Sequence, residues 1–169
     1  MNFQNVKIRM SIKNRLTYPF KKQVFIFVKK NIMCPAEIVK PMKDELTSIG
    51  FDQLLSSEDV ENSLSKPGTT LVVVNSVCGC AAANARPAVK ISLGNEKTPD
   101  NLVTVFAGVD REATDAARAI MIPFPPSSPS LALFKDGELV HMIERHHIEG
   151  RTAVLIAENL TGAYDEFCG

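Results

Sequence analysis

Thr69-Thr70-Leu71-Val72-Val73-Val74-Asn75-Ser76-Val77-Cys78-Gly79-Cys80-Ala81-Ala82-Ala83-Asn84-Ala85-Arg86-Pro87-Ala88-Val89 is the stretch on which the fold turns. Residues 69–75 are β-branched and almost wholly apolar, the pattern of a central strand buried on both faces. The alanine-rich run that follows has high helix propensity as far as Pro87, which is expected to kink or interrupt the helix. Two cysteines separated by one glycine fall where strand hands over to helix.

Outward from this segment the chain alternates. Upstream, Ile38, Val39, Met42, Leu46 and Ile49 recur at helical spacing over 35–49, and Gly50 follows as a C-cap. Ser57 before Glu58-Asp59-Val60-Glu61 predicts the N-cap of a second, short helix that closes at Pro67-Gly68. Downstream, 102–107 reads as another apolar strand and 111–120 as a helix of about two turns. Pro123, Pro125, Pro126 and Pro129 forbid regular structure between them. Asp136-Gly137 between 131–134 and 139–143 predicts a β-hairpin, and 151–167 a closing helix. The rhythm predicts one α/β domain: a central mixed β-sheet flanked by helices, with a C-terminal hairpin and helix. There is no internal repeat.

Charge divides the chain. Residues 1–32 hold eight Lys/Arg and no acid, which leaves 11 basic residues against 19 acidic ones in the remainder. An acidic body argues against nucleic acid as a partner. The basic head has the composition of a targeting or RNA-contacting arm. It lacks the apolar core and small-residue cleavage site of a signal peptide. We expect 1–32 to be a poorly ordered extension and 33–169 to form the domain, with Met33 as its natural start. No apolar run nears the ~18 residues of a membrane-spanning helix. The cysteines are Cys34, Cys78, Cys80 and Cys168. Their uneven spacing is a poor framework for a disulfide-stapled secreted domain, which favours a reducing cytoplasm.

A cysteine at a strand-to-helix junction sits beside free backbone N–H groups and the positive end of the helix dipole, so its thiolate is favoured. Cys78 is thereby the candidate nucleophile, and the second candidate site thiol, Cys80, lies only two residues away, so that a disulfide between them closes a very small ring containing Gly79. Residues i and i+2 of a helix point to nearly opposite sides, so bridging them distorts the first turn, and Gly79 tolerates that best. A bridge so constrained is easily reduced and suits exchange or isomerisation. By itself Cys-x-Cys also fits a metal site or two unremarkable buried cysteines. Zinc or an iron–sulfur cluster needs about four ligands, and no second close pair exists. His146 and His147 could supply two more, although paired histidines beside Glu144 and Arg145 read more simply as a solvated charged stretch.

The segment 69–81, with Ala85-Arg86-Pro87-Ala88 behind it, closely resembles the bacilliredoxins, thioredoxin-like proteins with a Cys-Gly-Cys motif. So do Val39-Lys40-Pro41-Met42 through Leu46, Lys97-Thr98-Pro99-Asp100-Asn101, Val105-Phe106-Ala107-Gly108, Pro126-Ser127-Ser128-Pro129-Ser130 and Arg145-His146-His147-Ile148-Glu149-Gly150. The resemblance covers about 33–168 and leaves 1–32 outside. It implies a thioredoxin-like fold in which Pro129, after a cis bond, faces the active-site cysteine. It implies removal of bacillithiol or a similar low-molecular-weight thiol from mixed disulfides on client proteins, with isomerase or reductase activity also proposed. The small thiol is then co-substrate, and no cofactor or metal is required. Arg86 could help hold Cys78 ionised, against the simpler expectation of a surface ion pair. Cys168 is expected to be an exposed tail thiol and Cys34 to be incidental. The rival reading is a metal-binding or carrier module built on Cys78 and Cys80.

Overall fold

The computed structural model describes residues 35–169. The basic extension 1–32, the expected start at Met33 and Cys34 lie outside the described residues. Helix α1 spans Ala36–Thr47 and includes Pro41. A two-residue strand, β1 (Asp52–Gln53), follows it; the sequence does not announce it, because two residues carry no periodicity. Helix α2 is Ser57–Leu64. Its N-cap is Ser56, one residue before the predicted Ser57: the Ser56 hydroxyl accepts from the Asp59 N–H, and the Asp59 side chain accepts in return from the Ser56 N–H. That reciprocal capping box satisfies two orphan donors at once and so outcompetes the neighbouring serine.

Strand β2 (Thr69–Asn75) is buried along its whole length, as an inner strand must be. The helix behind it opens with a π-helical segment, Ala81–Ala85, and continues as α3, Arg86–Ser92. Pro87 does not break it. The Arg86 N–H reaches back five residues to the Ala81 carbonyl, so the α register restarts there and Pro87 falls in a first turn, where its missing N–H costs little. Strand β3 (Asn101–Phe106) and helix α4 (Arg111–Ala119) complete the second unit. Through the proline-rich segment, Ile122–Pro123 and Ser128–Pro129 are both cis, where the sequence pointed only to the second. Strands β4 (Ser130–Lys135) and β5 (Glu138–Ile143) form the hairpin, with positive φ at Asp136 and Gly137 as a tight hairpin turn demands. A four-residue helix α5 (Arg145–Ile148) precedes the closing helix α6 (Ala153–Phe167).

The sheet order is β1-β3-β2-β4-β5, parallel across the first three strands and antiparallel across the last two contacts. Strand alternation sorts the core into two layers. Leu71, Val73, Leu131 and Leu133 pack under α1, α3 and α6 against Leu46, Val89, Leu160 and Tyr164. Val72, Val74, Val103 and Val105 face α2 and α4 through Val60, Ala113 and Ala117. This is the α/β, helix-flanked mixed sheet that the sequence predicts. Among the described residues no helix is long and apolar enough to cross a membrane.

Candidate active site

The C-terminal end of β2 is where the main chain leaves the sheet, and Ser76-Val77-Cys78 makes the exit. Cys78 and Cys80 are joined in a disulfide, their Cα atoms 5.4 Å apart, within the usual range for such bridges. Both are partly exposed, flanked by the half-exposed Val77. The Cys78 sulfur accepts two hydrogen bonds, from the Ala81 backbone N–H at 3.3 Å and the Ser76 hydroxyl at 3.3 Å. The first is one of the orphan donors expected at a helix start; the second escapes sequence reasoning. Ser76 carries no sequence signal beyond its place two residues before the cysteine, and only the exit turn brings its hydroxyl round to Cys78.

Gly79 does not do what the spacing suggests. Its φ is not in the left-handed region, Cys80 keeps right-handed helical dihedrals, and a Cβ built on Gly79 would meet nothing within 4 Å. The wide turn lies behind the pair, at Ala81–Ala85. Gly79 itself is exposed.

Arg86 is corrected as well. It is 4% exposed rather than a surface residue. Its Nε donates to Glu45 Oε2 at 2.6 Å and its Nη2 to Glu45 Oε1 at 3.2 Å, a two-point grip by a planar fork. Its Nη1 donates to Asn75 Oδ1 and to the Ser76 carbonyl. Among the described residues none of its hydrogen bonds goes to a sulfur. Asn75, fully buried, passes the brace on: its Nδ2 donates to the Met42 carbonyl and its Oδ1 also takes the Ser76 N–H. Arg86 therefore fixes the backbone from which Cys78 hangs, through Asn75 and Ser76, and ties it to α1.

Pro129 is buried. Ser130 pairs with Val74, so the Ser128–Pro129 bond continues alongside the end of β2 next to the exit turn. Arg145 holds this segment, its N–H donating to Ser127 Oγ and its Nη1 to the Ser128 carbonyl.

Cys168 is not an exposed tail thiol. It is 2% exposed and packed in the layer under α6. Burial pushes its thiol up, with a further upward push from Asp100, against downward pulls from a hydrogen bond with Thr69 and from Lys135 and Lys97. Thr69 begins β2 and Asn75 ends it, six residues further on, so about 20 Å of strand separates the two ends. Cys168 belongs to the opposite end of the sheet from Cys78.

Among the described residues, the ligand atoms close enough to share a metal ion are those of Glu144, His146 and His147, within 4.8 Å of one another, and no cysteine joins them. Both histidines are exposed, as a solvated stretch requires, and only the carboxylate beside them is buried. Glu144 Oε2 lies 3.5 Å from His146 Nδ1, and the Glu144 N–H donates to His147 Nδ1.

A pair of partly exposed cysteines, one sulfur held by two donors at a helix start, can undergo thiol–disulfide exchange. The comparisons with known proteins agree. The family model described as disulphide isomerase matches residues 34–168. A bacilliredoxin of Cytophaga hutchinsonii is 57% identical over 134 residues, 79% of this chain and 99% of that protein. Bacilliredoxins of Halalkalibacterium halodurans (55% identity, 78% of this chain and 92% of that protein) and Salinibacter ruber (47%, 80% and 81%) are similarly related. Among solved structures, a chain from a study of thiol resolution in yeast mitochondrial 1-Cys peroxiredoxin superposes with a TM-score of 0.50 at 16% identity, covering 70% of this chain and 97% of that one. Another, described as having a thioredoxin fold, gives 0.50 at 17% identity over 65% and 91%. At such identities the likeness speaks for the thioredoxin fold alone.

Proposed function

The chain belongs to the bacilliredoxin family of thiol–disulfide oxidoreductases, and from that premise we propose that it removes bacillithiol or a similar low-molecular-weight thiol from mixed disulfides on client proteins. The observation that carries this reading is the Cys78 sulfur itself, accepting from Ser76 and Ala81 in a partly exposed residue and paired with Cys80.

The reaction needs two sulfurs and no cofactor. The Cys78 thiolate attacks the small-thiol sulfur of the mixed disulfide; that S–S bond breaks, and the client leaves as a thiolate that takes a proton from solvent. Cys78 now carries the small thiol. The Cys80 thiolate attacks the Cys78 sulfur, expels the small thiolate and closes the Cys78–Cys80 disulfide, the form in which the pair stands here. Two electrons have passed from the dithiol to the mixed disulfide, and a further thiol or dithiol reductant restores the pair. Ser76 and the Ala81 N–H stabilise the attacking sulfur as an anion and the same sulfur as leaving group. The Ser128–Pro129 segment runs beside the exit turn, and Arg86 positions that turn. When Cys78 attacks a disulfide between two client cysteines instead, the same steps reduce it; if a different client thiolate attacks the mixed disulfide before Cys80 does and expels Cys78 as a thiolate, the client disulfide is isomerised with no net transfer of electrons.

Trapping tests it. A Cys80→Ser variant mixed with a bacillithiolated client is expected to accumulate the small thiol on Cys78, read by intact-mass spectrometry. Absence of any Cys78 adduct, with Cys78 reduced beforehand, refutes the assignment.

A further inference from the structure

On the open edge of β5 lies a cavity of about 250 Å³ that the exchange chemistry above does not use. Its walls come from β5, α5 and the first half of α6. His141, His147, Arg151 and Asn159 supply the polar part, Met142 and Leu155 much of the apolar part. The polar groups converge as donors. His147 Nδ1 accepts the Glu144 N–H, which puts the ring proton on Nε2. His141 Nε2 lies 2.7 Å from Asn159 Oδ1 and must donate to it, and among the described residues nothing accepts from the Asn159 amide N–H groups. Arg151 makes no ion pair among the described residues, and the two nearest acids of its segment are engaged elsewhere, Glu149 with Arg145 and Glu144 with His146.

Two hydrogen bonds link the segments around this cavity to segments that flank the disulfide. The Asn84 side chain donates to the Arg151 carbonyl, and Asn84 follows Cys80 by four residues, about one turn and ~6 Å of helix. Arg145, between β5 and His147, holds the Ser128 carbonyl beside Pro129. The cavity therefore opens at the same end of the sheet as Cys78. Its volume suits a fragment of a small molecule and is too small for a folded client surface.

We propose that this cavity receives the carboxylate-bearing arm of the low-molecular-weight thiol, with Arg151, His147 and Asn159 as its donors. The inference rests on the exchange reaction proposed above and adds a recognition element to it. The arm is bound while its sulfur sits over Cys78, so an acidic small thiol is preferred over one with no carboxylate.

The test compares one client protein loaded through one cysteine with either bacillithiol, which carries carboxylates, or cysteamine, which carries none. Wild type is expected to favour the bacillithiol adduct in kcat/KM, and Arg151→Ala to cut that preference about tenfold, as the loss of one charge-assisted bidentate contact would; Arg151→Lys should recover part of it. Equal preference in wild type and Arg151→Ala overturns the proposal. A direct readout separates this from failure of the exchange reading: S-methyl bacillithiol, which cannot react, is expected to shift the His141 and His147 imidazole resonances of wild type and not of Arg151→Ala. Should wild type process neither adduct yet show those shifts, the exchange reading falls and the site stands; no shift at saturating ligand sinks the site.

Discussion

The Ser76 hydroxyl bond to Cys78 is worth testing first, because it is invisible in the sequence and its effect can be sized. A hydrogen bond to an ionised group contributes about 1.5–3 kcal/mol. Sulfur is a weak acceptor and the second donor, Ala81 N–H, remains, so the lower figure applies. At 1.36 kcal/mol per pH unit, Ser76→Ala should move the midpoint of Cys78 reactivity up by about one unit. Below both midpoints the thiolate fraction then drops about tenfold. A more basic thiolate is also more nucleophilic, and with a Brønsted slope of 0.4–0.5 that returns about threefold. The variant should therefore react about three- to fourfold more slowly in mildly acidic buffer and up to about threefold faster in alkaline buffer, with the two curves crossing. The assay is exchange with a chromogenic small disulfide across pH, in a Cys80→Ser background, with peptide mapping to score Cys78 alone. Superimposable pH curves with and without the Ser76→Ala substitution, in proteins of equal thermal stability, would refute the reasoning.

Three further outcomes follow from the packing. Arg86→Ala should cost about 2–3 kcal/mol in urea unfolding, since it leaves the buried Asn75 Oδ1 and Ser76 carbonyl short of a donor; a change below ~0.5 kcal/mol would mean that the brace is not structural. Cys168→Ser should leave exchange at Cys78 as it is, and in wild type Cys168 should resist alkylation at neutral pH until denaturant is added; rapid labelling of Cys168 itself in the native protein, scored by peptide mapping, would contradict its burial. Asp100 is held below the usual carboxylate range by the Thr69 backbone N–H and hydroxyl, so the folded state binds fewer protons there than the unfolded chain. Its stabilisation is complete above the ordinary carboxylate value of about 3.9 and disappears as pH falls through the depressed one. The urea midpoints of wild type and Asp100→Asn should differ at about pH 6 and converge near pH 2; a constant gap would contradict the linkage.

The tertiary arrangement also explains how one end of the sheet is reserved for chemistry. Thiols at the two ends of β2 have opposite fates: Cys78 emerges where the chain turns out of the sheet, while Cys168 is sealed beneath α6 beside Thr69. The same residue type is the proposed nucleophile in one place and core packing in the other, and exposure with local donors sets the two apart.

Much of this is written in local pattern. Val72, Val73 and Val74 announce a strand buried on both faces, Asp136-Gly137 a hairpin, and the helical spacing of apolar residues in α1 and α6 two covering helices, because side-chain periodicity of 2 or 3.6 depends on neighbours in sequence alone. The place of Cys78 at a strand-to-helix junction is legible for the same reason. What sequence could not supply were relations between residues far apart in the chain. Arg86 reads as a surface cation until α1 brings Glu45 over it and β2 brings Asn75 beneath it. Cys168 reads as a loose end until α6 folds it against the start of β2. Strand order, the Ser76 bond made by the exit turn and the cavity between β5 and α6 were likewise decided only when non-local contacts closed, since burial and hydrogen-bond partners are properties of the folded surface and not of the string that makes it.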